Sequence, residues 1–346
     1  MEKILNLKGL GVSGRQNELI ELALTFKFNT VEVDMNDLIG RHDTMGKEFA
    51  CQFLQSAKIN VGSFDLPIDL EASDEDFATQ SEKLDTILSL CETLGGKRCR
   101  VYVATSSEMA FRENFERCQT RLNTLGDKCK ANGMMLGVAL SLPTADEKEH
   151  KFVQSAEELM TLGNTVGNDN VGICLDTWHW KVAGGAMDQI GELDVAKVSE
   201  MILADLPADA DPANITVANR VIPGDEPGSF SCDVFKALKA KGYEGPISFG
   251  THMSTFANTN RDRIINRISK RLDCLIAGES FETIEEKTLA ETVQEAQDKE
   301  RRAREGKVED AKEAKADAKD ADAKDAKEEG KAEVKEEKAD AVAAAE

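Results

Sequence analysis

The chain has 346 residues, a formal net charge of −21 at pH 7 and 41% hydrophobic residues. That is enough apolar material for one large domain or two ordinary ones. The acidic excess excludes a nucleic-acid backbone or an anionic membrane surface as the main partner, because both demand clustered Lys and Arg.

No basic segment followed by an apolar one opens the chain, and no run approaches the roughly 18 apolar residues of a membrane span. The eight cysteines, Cys51, Cys91, Cys99, Cys118, Cys129, Cys174, Cys232 and Cys274, are scattered without a CxxC pair. They read as reduced core residues, and the expected location is cytoplasmic. In chain order, short apolar runs predict strands over residues 7–12, 30–35, 60–67, 99–104, 134–142, 171–178, 201–206 and 246–252. Helical spacing predicts helices over 18–26, 49–57, 77–94, 111–131, 157–166, 232–241 and 261–276, with a further one within 188–201. Eight strand–helix units in about 280 residues match the rhythm of a (β/α)8 TIM barrel, whose strands are buried on both faces and read as continuous apolar runs. A doubly wound open sheet is the second architecture. No glycine-rich phosphate-binding fingerprint follows a strand, which counts against its nucleotide-binding versions.

The expected organisation is therefore an α/β chain with a single barrel over residues 1–278 and a low-complexity acidic tail over 279–346. The tail carries 23 acids and 14 bases, and beyond about residue 305 it is nearly all Ala, Lys, Glu and Asp. It has no sustained heptad and cannot supply a core. It reads as a helical or disordered extension that solvates the chain or engages a protein partner. Phe281, Ile284, Leu289 and Val293 would let its first turns dock as one last amphipathic helix.

In a barrel the chemistry sits where strands end, at the C-terminal mouth. Glu32, Asp34, Asp65, Asp176 with His179, Asp205, Thr251 and His252 fall there. The densest stretch is Leu175-Asp176-Thr177-Trp178-His179-Trp180, which holds one of four histidines and both tryptophans. Asp176 and His179 can bind a divalent ion with one side chain and a substrate hydroxyl with the other. Alternatively, Asp176 caps the segment that follows and His179 packs between Trp178 and Trp180. The tryptophans either stack on a sugar face or fill core. Arg220 can hold a phosphate or carboxylate bidentately, or it forms a salt bridge with a nearby acid.

Leu175-Asp176-x-x-His179, Asp205, Arg220-Val221-Ile222-Pro223-Gly224 and Gly242-Tyr243-Glu244-Gly245-Pro246-Ile247 together resemble the xylose isomerase-like barrels, within them the sugar phosphate isomerase/epimerase group. The resemblance covers about residues 5–278 and implies a barrel that works on carbohydrates. Active members hold one divalent metal with a Glu ending strand five, an Asp ending strand six, a His in strand seven and a Glu ending strand eight. The two glutamates also move a proton between adjacent sugar carbons. By that resemblance the four positions here are Ala139, Asp176, Ile202 and Gly250, so three have lost their donor atoms.

One carboxylate does not make a divalent site. The chain therefore reads as a non-catalytic barrel that binds a small carbohydrate-like ligand, or serves as a scaffold, without a cofactor. Trp178, His179, Arg220 and Asp65 would be its ligand-binding residues. The second reading is an active isomerase or epimerase whose Mn²⁺ or Mg²⁺ site is rebuilt from Asp176, Asp205 and His252. Endonuclease action, known among relatives, needs a multi-metal cluster and a basic face, and neither is visible.

Overall fold

Eight parallel strands form one curled sheet: β1 (Lys3–Leu5), β2 (Thr30–Val31), β3 (Asn60–Val61), β4 (Arg98–Val103), β5 (Met135–Leu140), β6 (Val171–Asp176), β7 (Val198–Leu203) and β8 (Ile247–Phe249). Their order is β3-β2-β1-β8-β7-β6-β5-β4, and a parallel bridge between Asp65 and Arg100 joins the two ends into a barrel. Arg100 N–H donates to the Phe64 carbonyl at 2.9 Å and Leu66 N–H to the Arg100 carbonyl at 2.8 Å, so the seam is hydrogen-bonded. The helices fall in the connections: α1 (Gln16–Thr25), α2 (Met35–Met45), α3 (Lys47–Ala57), α4 (Asp74–Thr93), α5 (Phe111–Ala131), α6 (Ala156–Thr165), α7 (Thr177–Val182), α8 (Met187–Glu192), α9 (Phe230–Ala240) and, after β8, α10 (Arg261–Ala277). The computed structural model describes residues 1–12, 14–141, 147–211, 214–224, 228–256 and 259–281, and chain contacts group everything through Phe281 into one unit.

Strand alternation sorts the barrel into two chemistries. One set, Val101, Val103, Val138, Leu140, Ile173, Leu175, Met201, Leu203 and Phe249, joins the main hydrophobic core beneath the helices. The other faces the barrel interior and, Ile202 apart, is polar or small: Glu32, Ser63, Asp65, Arg100, Ala139, Cys174, Asp176, Glu200, Ile202, Ser248 and Gly250. In this set only Ala139, Cys174 and Ile202 form an apolar cluster, separate from the main core. Branched apolar layers usually fill such interiors. Here charge does.

Several strands differ from the sequence expectation: those expected over 30–35, 60–67 and 171–178 stop at Val31, Val61 and Asp176, with Met35 and Thr177 opening α2 and α7 instead, and two strands begin elsewhere. The first lies at Lys3–Leu5 and not at residues 7–12, because Gly11 takes a positive φ of 66° and the Asn6 side chain accepts from Gly9 N–H at 2.6 Å, which folds the glycine-rich run into turns. The seventh begins at Val198 and not at 201, because the charged Glu200 interrupts the apolar run in sequence while lying buried in the strand. All eight cysteines are buried free thiols. No helix among the described residues is long and apolar enough to cross a membrane. Phe281 packs against Gly224 and the Arg271 guanidinium. Ile284, Leu289, Val293 and the rest of the acidic tail lie outside the described residues.

Candidate functional site

The mouth holds two clusters, each built on a buried guanidinium. The first lies on the β2–β4 side, with one partner from β7. Arg100, on the inner face of β4, lies 2.5 Å from Glu32, 2.6 Å from Asp65 and 3.2 Å from Glu200. Its Nε–H donates to the Tyr102 hydroxyl at 3.1 Å, and Ser63 donates to Glu200 at 2.7 Å. At the solvent edge Lys8 pairs with Asp65 at 2.5 Å. Three carboxylates thus face one buried guanidinium and one exposed ammonium. Burial, only partly offset by Arg100, pushes the Glu32 carboxyl up to about 7. Burial acts on Asp65 in the same sense, but Arg100 and Lys8 outweigh it and hold that carboxyl below its usual range.

The second cluster lies at the ends of β6, β7 and β8. Asp176 ends β6 and caps α7, accepting from Trp178 N–H and His179 N–H at 3.1 Å each through Oδ1. Its Oδ2 takes a close ion pair from Arg220 Nη2 and lies 3.4 Å from His179 Nδ1. Burial would raise the Asp176 carboxyl, yet Arg220 and then His179 hold it well below the usual carboxylate range. The Arg220 guanidinium lies 5.0 Å from the Trp178 ring centroid, and Trp178 meets His179 edge-on at 5.3 Å. The tryptophans therefore divide: Trp180 belongs to the main core, whereas Trp178 is fully buried outside it, beneath Arg220.

The loop carrying Arg220 is fastened on both sides. Asp205 and Val221 exchange backbone hydrogen bonds at 3.0 Å, and His252 N–H donates to the Arg220 carbonyl at 2.9 Å. Asp205 spends its carboxylate on Ser229, on the N–H and hydroxyl of Ser231, and on Gly224 N–H. His252 Nδ1 meets the Ser254 hydroxyl at 2.6 Å. Asp34 caps α2 through Asn36 N–H, and Thr251 donates to the Val221 carbonyl at 3.4 Å. The structure thus joins Asp176, His179, Trp178 and Arg220, places Asp65 in the other cluster, and gives Asp205 and His252 positioning contacts on the Arg220 loop.

Arg100 and Glu200 were not among the residues predicted from the sequence. Their signal was present: charges of opposite sign within two mostly apolar strands, which only mutual pairing makes tolerable where they are buried.

The family model of the xylose isomerase-like TIM barrel matches residues 20–272. The chain belongs to that family. Among solved structures it is similar to a xylose isomerase domain protein from Alicyclobacillus acidocaldarius, at 22% identity and a TM-score of 0.71 over 80% of this chain and 98% of that one. It is also similar to the IolI protein with a bound zinc atom, at 17% identity and 0.67 over 81% of this chain and 100% of that one. An L-ribulose 3-epimerase aligns at 17% identity and 0.54 over 80% and 94%. No curated protein matches the chain significantly.

A divalent ion does not fit the residues present. Ala139 and Ile202 close with Cys174 into an apolar cluster, and both Asp176 oxygens are already engaged. Among the described residues no group of three or more His, Cys, Asp or Glu is arranged to hold a metal ion.

Proposed function

We propose that this barrel binds a small carbohydrate-like ligand at its C-terminal mouth and has lost the metal-dependent proton transfer of its active relatives. The observation that carries this reading is the state of Asp176, the one remaining donor of the family set, whose oxygens are taken by the α7 cap and by Arg220. Two buried donors favour ligand binding over a purely scaffolding role. Arg220 Nε and Trp178 Nε1 have no hydrogen-bond partner among the described residues, and buried donors left unpaired cost about 1–3 kcal/mol each. A ligand rich in hydroxyl or carbonyl oxygens would supply acceptors once the mouth opened around these two buried donors.

The test is calorimetric titration of the purified protein with Mn²⁺ and Mg²⁺, with Asp176→Ala as control, beside a thermal-shift panel of sugars, sugar phosphates and cyclitols. Stabilisation by a panel member and silence towards both ions is the expected result. Metal binding that Asp176→Ala abolishes would overturn the reading and favour an active isomerase or epimerase.

A further inference from the structure

Two of the three lost donor positions, Ile202 and Gly250, meet at Arg220. A Cβ built on Gly250 would lie 3.2 Å from Arg220 Nη2 and 2.7 Å from Ile202 Cγ2. The same Nη2 grips Asp176, which is in register with Ile202. The guanidinium therefore sits against Asp176 and Gly250, two of the four positions at which active relatives keep metal ligands, and Ile202 presses on the same space. A glutamate at 250 has no room beside it. The loop is pinned to the ends of β7 and β8 by the contacts of Asp205 and His252, so the guanidinium is delivered from a fixed backbone.

We infer that Arg220 is a resident cation: its guanidinium occupies the place of the metal and neutralises Asp176, and at Gly250 the Ile202 methyl and the guanidinium together leave no room for a larger residue. The inference rests on the metal-free reading above and adds what replaced the ion. A covalently held cation cannot be removed by chelation, and its charge is constant across the accessible pH range because guanidinium does not deprotonate in proteins. Asp176, buried and otherwise met only by two backbone N–H groups and His179, then has a permanent counter-charge.

Arg220→Ala tests this by leaving a guanidinium-sized space beside Asp176. The variant is expected to melt at a lower temperature than wild type. Guanidinium chloride, kept well below denaturing concentrations, should raise its Tm with a saturating dose dependence while urea and NaCl at equal concentration do not, and wild type should show no such rise. A variant that responds no better to guanidinium than to NaCl would overturn the inference. A second set does not depend on that variant folding well: Ala139→Glu, Ile202→His and Gly250→Glu combined, with Arg220 kept or changed to Ala, each titrated with Mn²⁺. Binding only where Arg220 has been removed supports the resident cation, and equal binding with Arg220 retained overturns it. Asp176-dependent Mn²⁺ binding by wild type would overturn both proposals. A failed rescue beside a metal-blind wild type would sink this inference alone.

Discussion

The two guanidiniums of the mouth solve different electrostatic problems. Arg220 faces one acid, Asp176, whose charge is also met by two backbone N–H groups and His179. Arg100 faces three acids, Glu32, Asp65 and Glu200, and only Asp65 reaches a second cation, Lys8. The balanced pair keeps its carboxylate ionised. The acid-rich cluster cannot keep all three charges buried, and Glu32 yields by holding a proton towards neutral pH. One side of the mouth is thus fixed in charge and the other titrates.

Arg100→Leu should break the comparison most severely. It leaves three buried or half-buried carboxylates with Lys8 alone. Removing one partner of a buried pair costs about 3–5 kcal/mol, out of a total stability of about 5–15. The variant is expected to weaken its urea transition sharply at pH 7.5 and recover part of it near pH 5, where Glu32 carries its proton. A normal transition at pH 7.5 would show that the cluster is not held by Arg100. Arg220→Ala should cost less, about 2–3 kcal/mol, because Asp176 keeps its capping hydrogen bonds and His179. Equal losses in the two variants would erase the distinction between them.

Smaller effects probe the supports. Asp205→Ala frees two serine hydroxyls and a backbone N–H at the start of α9 and should cost about 1–2 kcal/mol, with Arg220 less firmly placed. Chemical denaturation gives the first quantity. The second follows from ligand affinity, which should fall further than stability alone predicts.

The barrel was legible because eight buried strands write themselves as apolar runs between helical patterns. The cap at Asp176 was legible for the same local reason. The Arg100 cluster was not: its members lie just past β2 and β3 and on β4 and β7, far apart in sequence, and only closure of the sheet through Asp65 and Arg100 brings them together. A charge inside an apolar strand reads as an interruption until its partner is found, and Glu200 hid the true start of β7 in that way. Arg220 was singled out, but its partner could not be chosen from the sequence, because the chain offers acids in excess and only the fold selects Asp176.

The titrating side gives the last and smallest effect, with a definite sign. Glu32 has a folded value of about 7 against an ordinary 4.5, so between those limits the folded state binds more proton than the unfolded one and stability falls as pH rises. Asp176 is shifted the other way, so its contribution is present above the ordinary aspartate range and is lost as pH falls through and below it. Wild type should therefore be most stable near pH 5, declining gently to pH 7 and more steeply in acid. Glu32→Gln keeps a carbonyl oxygen for the Arg100 N–H and removes the titrating charge. It should flatten the decline between about pH 5 and 7 and leave the acid limb unchanged, as read from urea midpoints across pH. A variant that retains the neutral-side slope would show that Glu32 is not its source, and the contrast between a charge-locked and a titrating side of the mouth would fall.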